Sequence, residues 1–118
     1  MIQQILHIGI ATVAEQRKRS LAIAAGQGVR KVNEPKIWFS SLRALAQVLS
    51  DENMALLRIL RDEMPETIQQ LAQRLDRAPS NVSRSLSTLA NYGLVELHKQ
   101  GRTVQAKATA YEYRIAMY

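Results

Sequence analysis

The sequence predicts an α+β fold, mainly α: a block of short helices closed by a β-hairpin, with a strand and a helix in front of it. Three observations predict it. Residues 67–95, TIQQLAQRLDRAPSNVSRSLSTLANYGLV, hold two amphipathic helices around a tight turn. The residues after Gly93 are rich in β-branched and aromatic side chains and are interrupted by a basic turn. Residues 2–10 end in the alternation Leu6, Ile8, Ile10 against His7 and Gly9, the period of a strand. Together these describe a winged helix-turn-helix with an N-terminal strand–helix arm. Residues 1–36 are expected to form the arm and linker, serving dimerisation or partner binding, and residues 37–118 the winged domain.

Composition narrows the chemistry. There is no cysteine, so neither a disulfide framework nor a thiolate metal site exists. His7 and His98 are remote in sequence and fit no metal-ligand spacing, and no cofactor is expected. The apolar runs are far shorter than the ~18 residues of a membrane span, and no basic segment precedes the first of them, so a cytoplasmic location is expected. The net charge is +6 and unevenly spread: residues 51–66 hold five acidic and two basic groups, residues 67–107 six basic and two acidic. A basic two-helix unit following an acidic stretch raises the expectation of a polyanionic partner.

In chain order, Thr12 and Glu15 form a capping box for a helix from about Val13 to Ala25, which Gly26 ends. Gly26, Gly28 and Lys31 lack the spacing of a phosphate loop, so this connection is expected to be a hinge. Ile37-Trp38-Phe39 anchors the next segment. Ser40 is expected to cap a helix through Leu49 with Leu42, Leu45, Ala46 and Leu49 on its buried face. Ser50 caps another, with Asp51 and Glu52 in its first turn and apolar Met54, Ala55, Leu57, Ile59, Leu60 and Met64, ending at Pro65. Asp62, Glu63 and Glu66 cluster there without a nucleophile, metal set or phosphate loop, so no enzyme is expected.

Thr67 and Gln70 form a second capping box, and Ile68, Leu71, Ala72 and Leu75 share one face. Asp76-Arg77-Ala78 makes the turn. Pro79 suits the first position of the next helix, where its missing N–H had no partner, and Gly93 stops it. At about 100° per residue, Val82, Leu86 and Leu89 point one way and Ser80, Arg84, Ser87 and Thr88 the other, with Asn81 and Ser83 flanking. These small polar residues are mediocre helix formers, so propensity did not select them. They let a helix approach base edges closely, where Arg can pair with guanine and Asn with adenine. After Gly93, a strand over residues 94–97, a turn at Lys99-Gln100-Gly101-Arg102, and returning β-prone segments 103–109 and 111–115 make a wing. Lys99 and Arg102 are expected to reach sugar-phosphate or the minor groove, and Arg77 in the turn is a further expected DNA contact.

The run Asn81-Val82-Ser83-Arg84, Leu89, and Gly93-Leu94-Val95 followed by the wing resembles MarR-type regulators over residues 40–115. With Leu21-Ala22-Ile23-Ala24 and Pro35-Lys36-Ile37-Trp38-Phe39-Ser40-Ser41-Leu42 included, the whole chain is similar to a small family of prokaryotic winged-helix regulators, some akin to antitoxins of toxin–antitoxin pairs. The resemblance implies a dimeric repressor on palindromic double-stranded DNA, controlling its own promoter and able to bind a small toxin. It implies recognition-helix contacts from Ser80, Asn81, Ser83 and Arg84 and wing contacts from Lys99 and Arg102. The alternatives are a stand-alone regulator with no toxin, or a protein-interaction module that does not bind DNA.

Overall fold

The computed structural model describes residues 2–26 and 34–118; most of the expected hinge, with Gly28 and Lys31, lies outside the described residues. The elements run β1 (Gln3–Ile10), α1 (Val13–Ala24), β2 (Ile37–Phe39), α2 (Leu42–Val48), α3 (Asp51–Asp62), α4 (Ile68–Leu75), α5 (Pro79–Asn91), β3 (Val95–Gln100), β4 (Thr103–Ala108) and β5 (Ala110–Met117). The expected α+β fold is present: a helical block, a hairpin wing and a second sheet.

That second sheet is where the sequence misled. It is three-stranded with order β2-β1-β5, and β1 pairs in parallel with both neighbours. Ile8 faces Ile37 on one side and Ile115 on the other. Residues 1–36 therefore supply the central strand of a sheet, and Leu6, Ile8 and Ile10 lie in the same core as Leu56, Leu60, Leu71 and Leu86. β2 went unseen because three residues are too few to show a period. β5 looked like more wing because it follows β4 after one residue, Thr109. That residue redirects the chain. Its hydroxyl donates to the Gly93 carbonyl (2.8 Å) and its N–H to the Leu94 carbonyl (3.2 Å), while its own carbonyl accepts from Gln3 N–H (2.9 Å). Thr109 thus clamps the base of the wing and hands the chain to β1.

Helix starts follow the side-chain oxygens. Thr12, Ser41, Ser50 and Thr67 each accept the N–H of the residue three places on, at 3.1–3.2 Å. The α2 cap is Ser41, not Ser40. Leu45 and Val48 are buried, whereas Leu42 and Ala46 are exposed. In α3 the buried set is Asn53, Leu56, Leu57 and Leu60; Met64 falls beyond the helix with φ 46° and is exposed. Asn53 is the one buried polar residue among those described, and its Nδ2 donates to the Val48 carbonyl (2.8 Å), fixing the α2–α3 corner. The acidic end of α3 is offset by Arg74, which donates to both Glu63 oxygens at 2.6 and 2.7 Å. This hydrogen bonding lowers the Glu63 pKa and raises that of Arg74. Its small contribution is present above the ordinary carboxylate range and is lost as pH falls through the lowered value.

The face of β1 opposite the core carries Gly9, and the glycine is required. A Cβ there would stand 2.5–2.9 Å from ring atoms of Trp38. The Trp38 ring is held in turn by Tyr118 (centroids 5.2 Å apart) and by the Arg19 guanidinium, which also bonds Glu34 at 2.6 Å. Gly9→Ala must displace this stack and is expected to cost about 1–3 kcal/mol, the usual penalty of overpacking, read as a lower midpoint in urea with unchanged slope. A neutral effect would mean that the Trp38 ring swings freely.

Candidate nucleic-acid interface

Helix α5 is seated by Val82, Leu86 and Leu89, all essentially inaccessible, and the predicted core direction is the observed one. Asp76 closes α4 in the left-handed region (φ 53°), so the chain turns within Asp76-Arg77-Ala78, and Pro79 opens α5. At the far end Gly93 has φ 81°, a conformation that suits glycine. Gly93 N–H donates to the Ala90 carbonyl (3.0 Å) and Leu94 N–H to the Leu89 carbonyl (2.9 Å), the two bonds of a Schellman stop. Both ends of α5 are thereby fixed, and its outer face is fixed with them.

That face holds Ser80, Asn81, Ser83, Arg84 and Ser87, all exposed. Arg84 makes no ion pair among the described residues. Thr88 is half-buried and its hydroxyl donates to the Arg84 carbonyl (3.2 Å), leaving it only as an acceptor. Arg77 sits differently from expectation. Its side chain is only 18% exposed; Nη2 donates to Ser85 Oγ at 2.9 Å and lies 4.0 Å from Glu52. It braces the turn against α5 and α3 and lines the grooves on both sides of it.

The wing is a two-residue hairpin. Gln100 pairs with Thr103 across Gly101-Arg102, so Arg102 is in the turn while Lys99 belongs to β3, opposite Val104. Both are exposed, as is Lys107 on β4. Sequence reasoning missed two further groups. Gln69 and Gln73 are exposed on α4 and line one groove with Ala78 and Pro79, at the entry of α5. Their spacing of four, on the side of α4 away from Leu71 and Ala72, was the signal that could have found them. A second groove on the other side of the turn is lined by Gln47, Glu52, Asn53, Asn81 and Arg84. No group of residues able to hold a metal ion occurs among the described residues.

The model of the HVO_A0114 family matches residues 48–113, more than half of the chain. The chain is a member of the HVO_A0114 family. The match runs from the end of α2 through the wing and into β5, so the helix-turn-helix of this family member lies wholly inside it. Among solved structures, reduced HlyU from Vibrio cholerae N16961 shares 21% identity over 82% of each chain with a TM-score of 0.50, a likeness of fold. An ArsR-like transcriptional regulator from Rhodococcus sp. RHA1 shares 31% identity over 54% of this chain, with a TM-score of 0.47; the alignment spans 60% of that regulator's length. No curated protein matches the HVO_A0114 family member described here.

Proposed function

We propose that this chain is a sequence-specific DNA-binding transcriptional regulator, a cytoplasmic homodimer that represses transcription from a palindromic operator. The observation that carries the reading is the outer face of α5. A helix fixed at both ends presents small hydroxyls, an amide and an unpaired guanidinium, with basic side chains on the adjacent wing. Such a face fits a major groove: Arg84 and Asn81 read base edges, while Ser80, Ser83 and Ser87 allow close approach. Lys99 and Arg102 take backbone phosphates, and Gln69 and Gln73 take the phosphates beside the entry of α5. Arg77 holds the turn. Two copies are needed because one recognition helix buries too little surface for useful specificity.

The test is fluorescence anisotropy with duplex DNA from upstream of the protein's own gene, against a base-scrambled duplex. Preference for the native duplex by at least tenfold supports the reading; equal affinity, or none, overturns it. The double variant Lys99→Ala, Arg102→Ala is expected to weaken both duplexes alike and reduce the slope of log K against log salt by about two. An unchanged slope removes the wing from the contact. An antitoxin role adds a small toxin as a second ligand and rests on sequence resemblance. A neighbouring gene product that co-purifies and alters operator affinity would establish it.

A further inference from the structure

The sheet β2-β1-β5 ends on β5, an eight-residue strand whose outer side has no strand partner among the described residues. Edge strands are commonly protected by charged side chains, lysine above all, by proline, a bulge or brevity. The opposite edge, β2, is protected by its three-residue length. β5, AYEYRIAM, has neither lysine nor proline. Tyr118 N–H donates to the Ile10 carbonyl (2.9 Å). The strand's period of two then directs the peptide groups of Tyr113, Ile115 and Met117 to the open side. Tyr111, Ile115 and Met117 share the face of β1's core residues by register, yet are 46%, 48% and 71% exposed. Glu112 and Arg114 pair with one another and Arg61 covers the Tyr111 carbonyl, but the rest of this edge is open and carries an apolar strip continuous with the core.

We infer that β5 is the dimerisation strand: it pairs antiparallel with β5 of a second copy about a two-fold axis at Tyr113, joining two three-stranded sheets into one of six strands. The sequence of β5 is self-complementary in this register. Glu112 meets Arg114 of the second copy, and Arg114 meets its Glu112. Tyr111 meets Ile115 of the second copy, an aromatic–β-branched pair of the kind that stabilises antiparallel sheets. Axes at Glu112 or Arg114 would instead oppose like charges. In the single chain Glu112 and Arg114 satisfy one another at 3.0 Å, both exposed, and the dimer exchanges these two intrachain bonds, one per copy, for two across the axis. Tyr113 itself has a buried hydroxyl with no partner in one chain, and pairing brings the second copy's Tyr113 alongside it. The interface is isologous, as a closed dimer requires. Arg61 already donates to the Tyr111 carbonyl (2.6 Å), and a carbonyl can accept the second bond that pairing adds.

The proposal is independent of DNA binding and is tested without DNA, by sedimentation equilibrium of the full chain. The wild type is expected to dimerise. Glu112→Arg alone and Arg114→Glu alone each set like charges across the axis and are expected to weaken dimerisation at least tenfold. The double variant Glu112→Arg, Arg114→Glu restores opposite charges and is expected to recover wild-type affinity within about threefold. Both positions are exposed, so thermal unfolding should change little. A monomeric wild type overturns the proposal. So does a dimer indifferent to the single reversals, which would place the contact elsewhere, or a double variant no better than the singles.

Discussion

Ile8→Ala is expected to lower the unfolding free energy by about 2–5 kcal/mol, the range for emptying a closed apolar site. Ile8 is completely buried at the centre of β1, with Ile37 and Ile115 in register on either side. Neither neighbouring strand can close the gap without breaking its own ladder, so the upper half of the range is expected. A domain of this size has a stability of about 5–15 kcal/mol, and the loss is a large part of it. Leu21→Ala on the exposed side of α1 is the control and should stay within about 0.5 kcal/mol. Urea titration separates the two; a small effect for Ile8 would mean that the front segment folds as an independent arm. By the same argument, deleting residues 1–36 should unfold the chain, because it removes β1, the strand that joins β2 to β5.

Arg84→Ala is expected to cost about 1–3 kcal/mol on the native operator and to relax the preference for one base pair per half-site. The guanidinium stands opposite Val82, Leu86 and Leu89, which no surrounding rearrangement can rotate while they remain packed. Stability should be unaffected, since Arg84 makes no side-chain bond among the described residues. Anisotropy against a panel of single-base operator variants reads the effect. Equal weakening on scrambled DNA would instead assign Arg84 to a phosphate. Arg77→Ala is a contrasting case: its bond to Ser85 and proximity to Glu52 are internal, so a loss of stability should accompany any loss of binding.

The parts of the fold carried by local chemistry were legible. Thr12, Ser50 and Thr67 cap where their side-chain oxygens and the following residues indicated. Pro79 and Gly93 bound α5, and Val82, Leu86 and Leu89 set its orientation. The outer face of α5 was legible for the same reason, since a helix whose buried stripe is known has a known opposite side. The sheet through β1 was not legible, because its pairings join residues 29 places apart with β2 and 107 places apart with β5 and depend on no local pattern. Arg77 lies further inward than a charged residue in a turn usually does. Only the proximity of Ser85 and Glu52, on two different helices, turns it inward. The place of Gln69 and Gln73 beside Pro79 depends on how α4 and α5 cross.

The pairing of β1 with β5 also governs how the chain can acquire its structure. Gln3 is opposite Ala110 and Ile10 opposite Met117, so a ladder spans nearly the whole sequence. Closing so long a loop carries an entropic cost that local helix formation does not, and topologies rich in such distant contacts fold slowly. During synthesis the helices α2 to α5 and the β1–β2 pairing can form as they emerge, but the β5 side of Leu6, Ile8 and Ile10 must wait for residues 110–117 to leave the ribosome. Until then that side of an apolar strand sits uncovered beside a finished helical block. Refolding rate should therefore respond to changes in β5 far more than to equal changes in the wing.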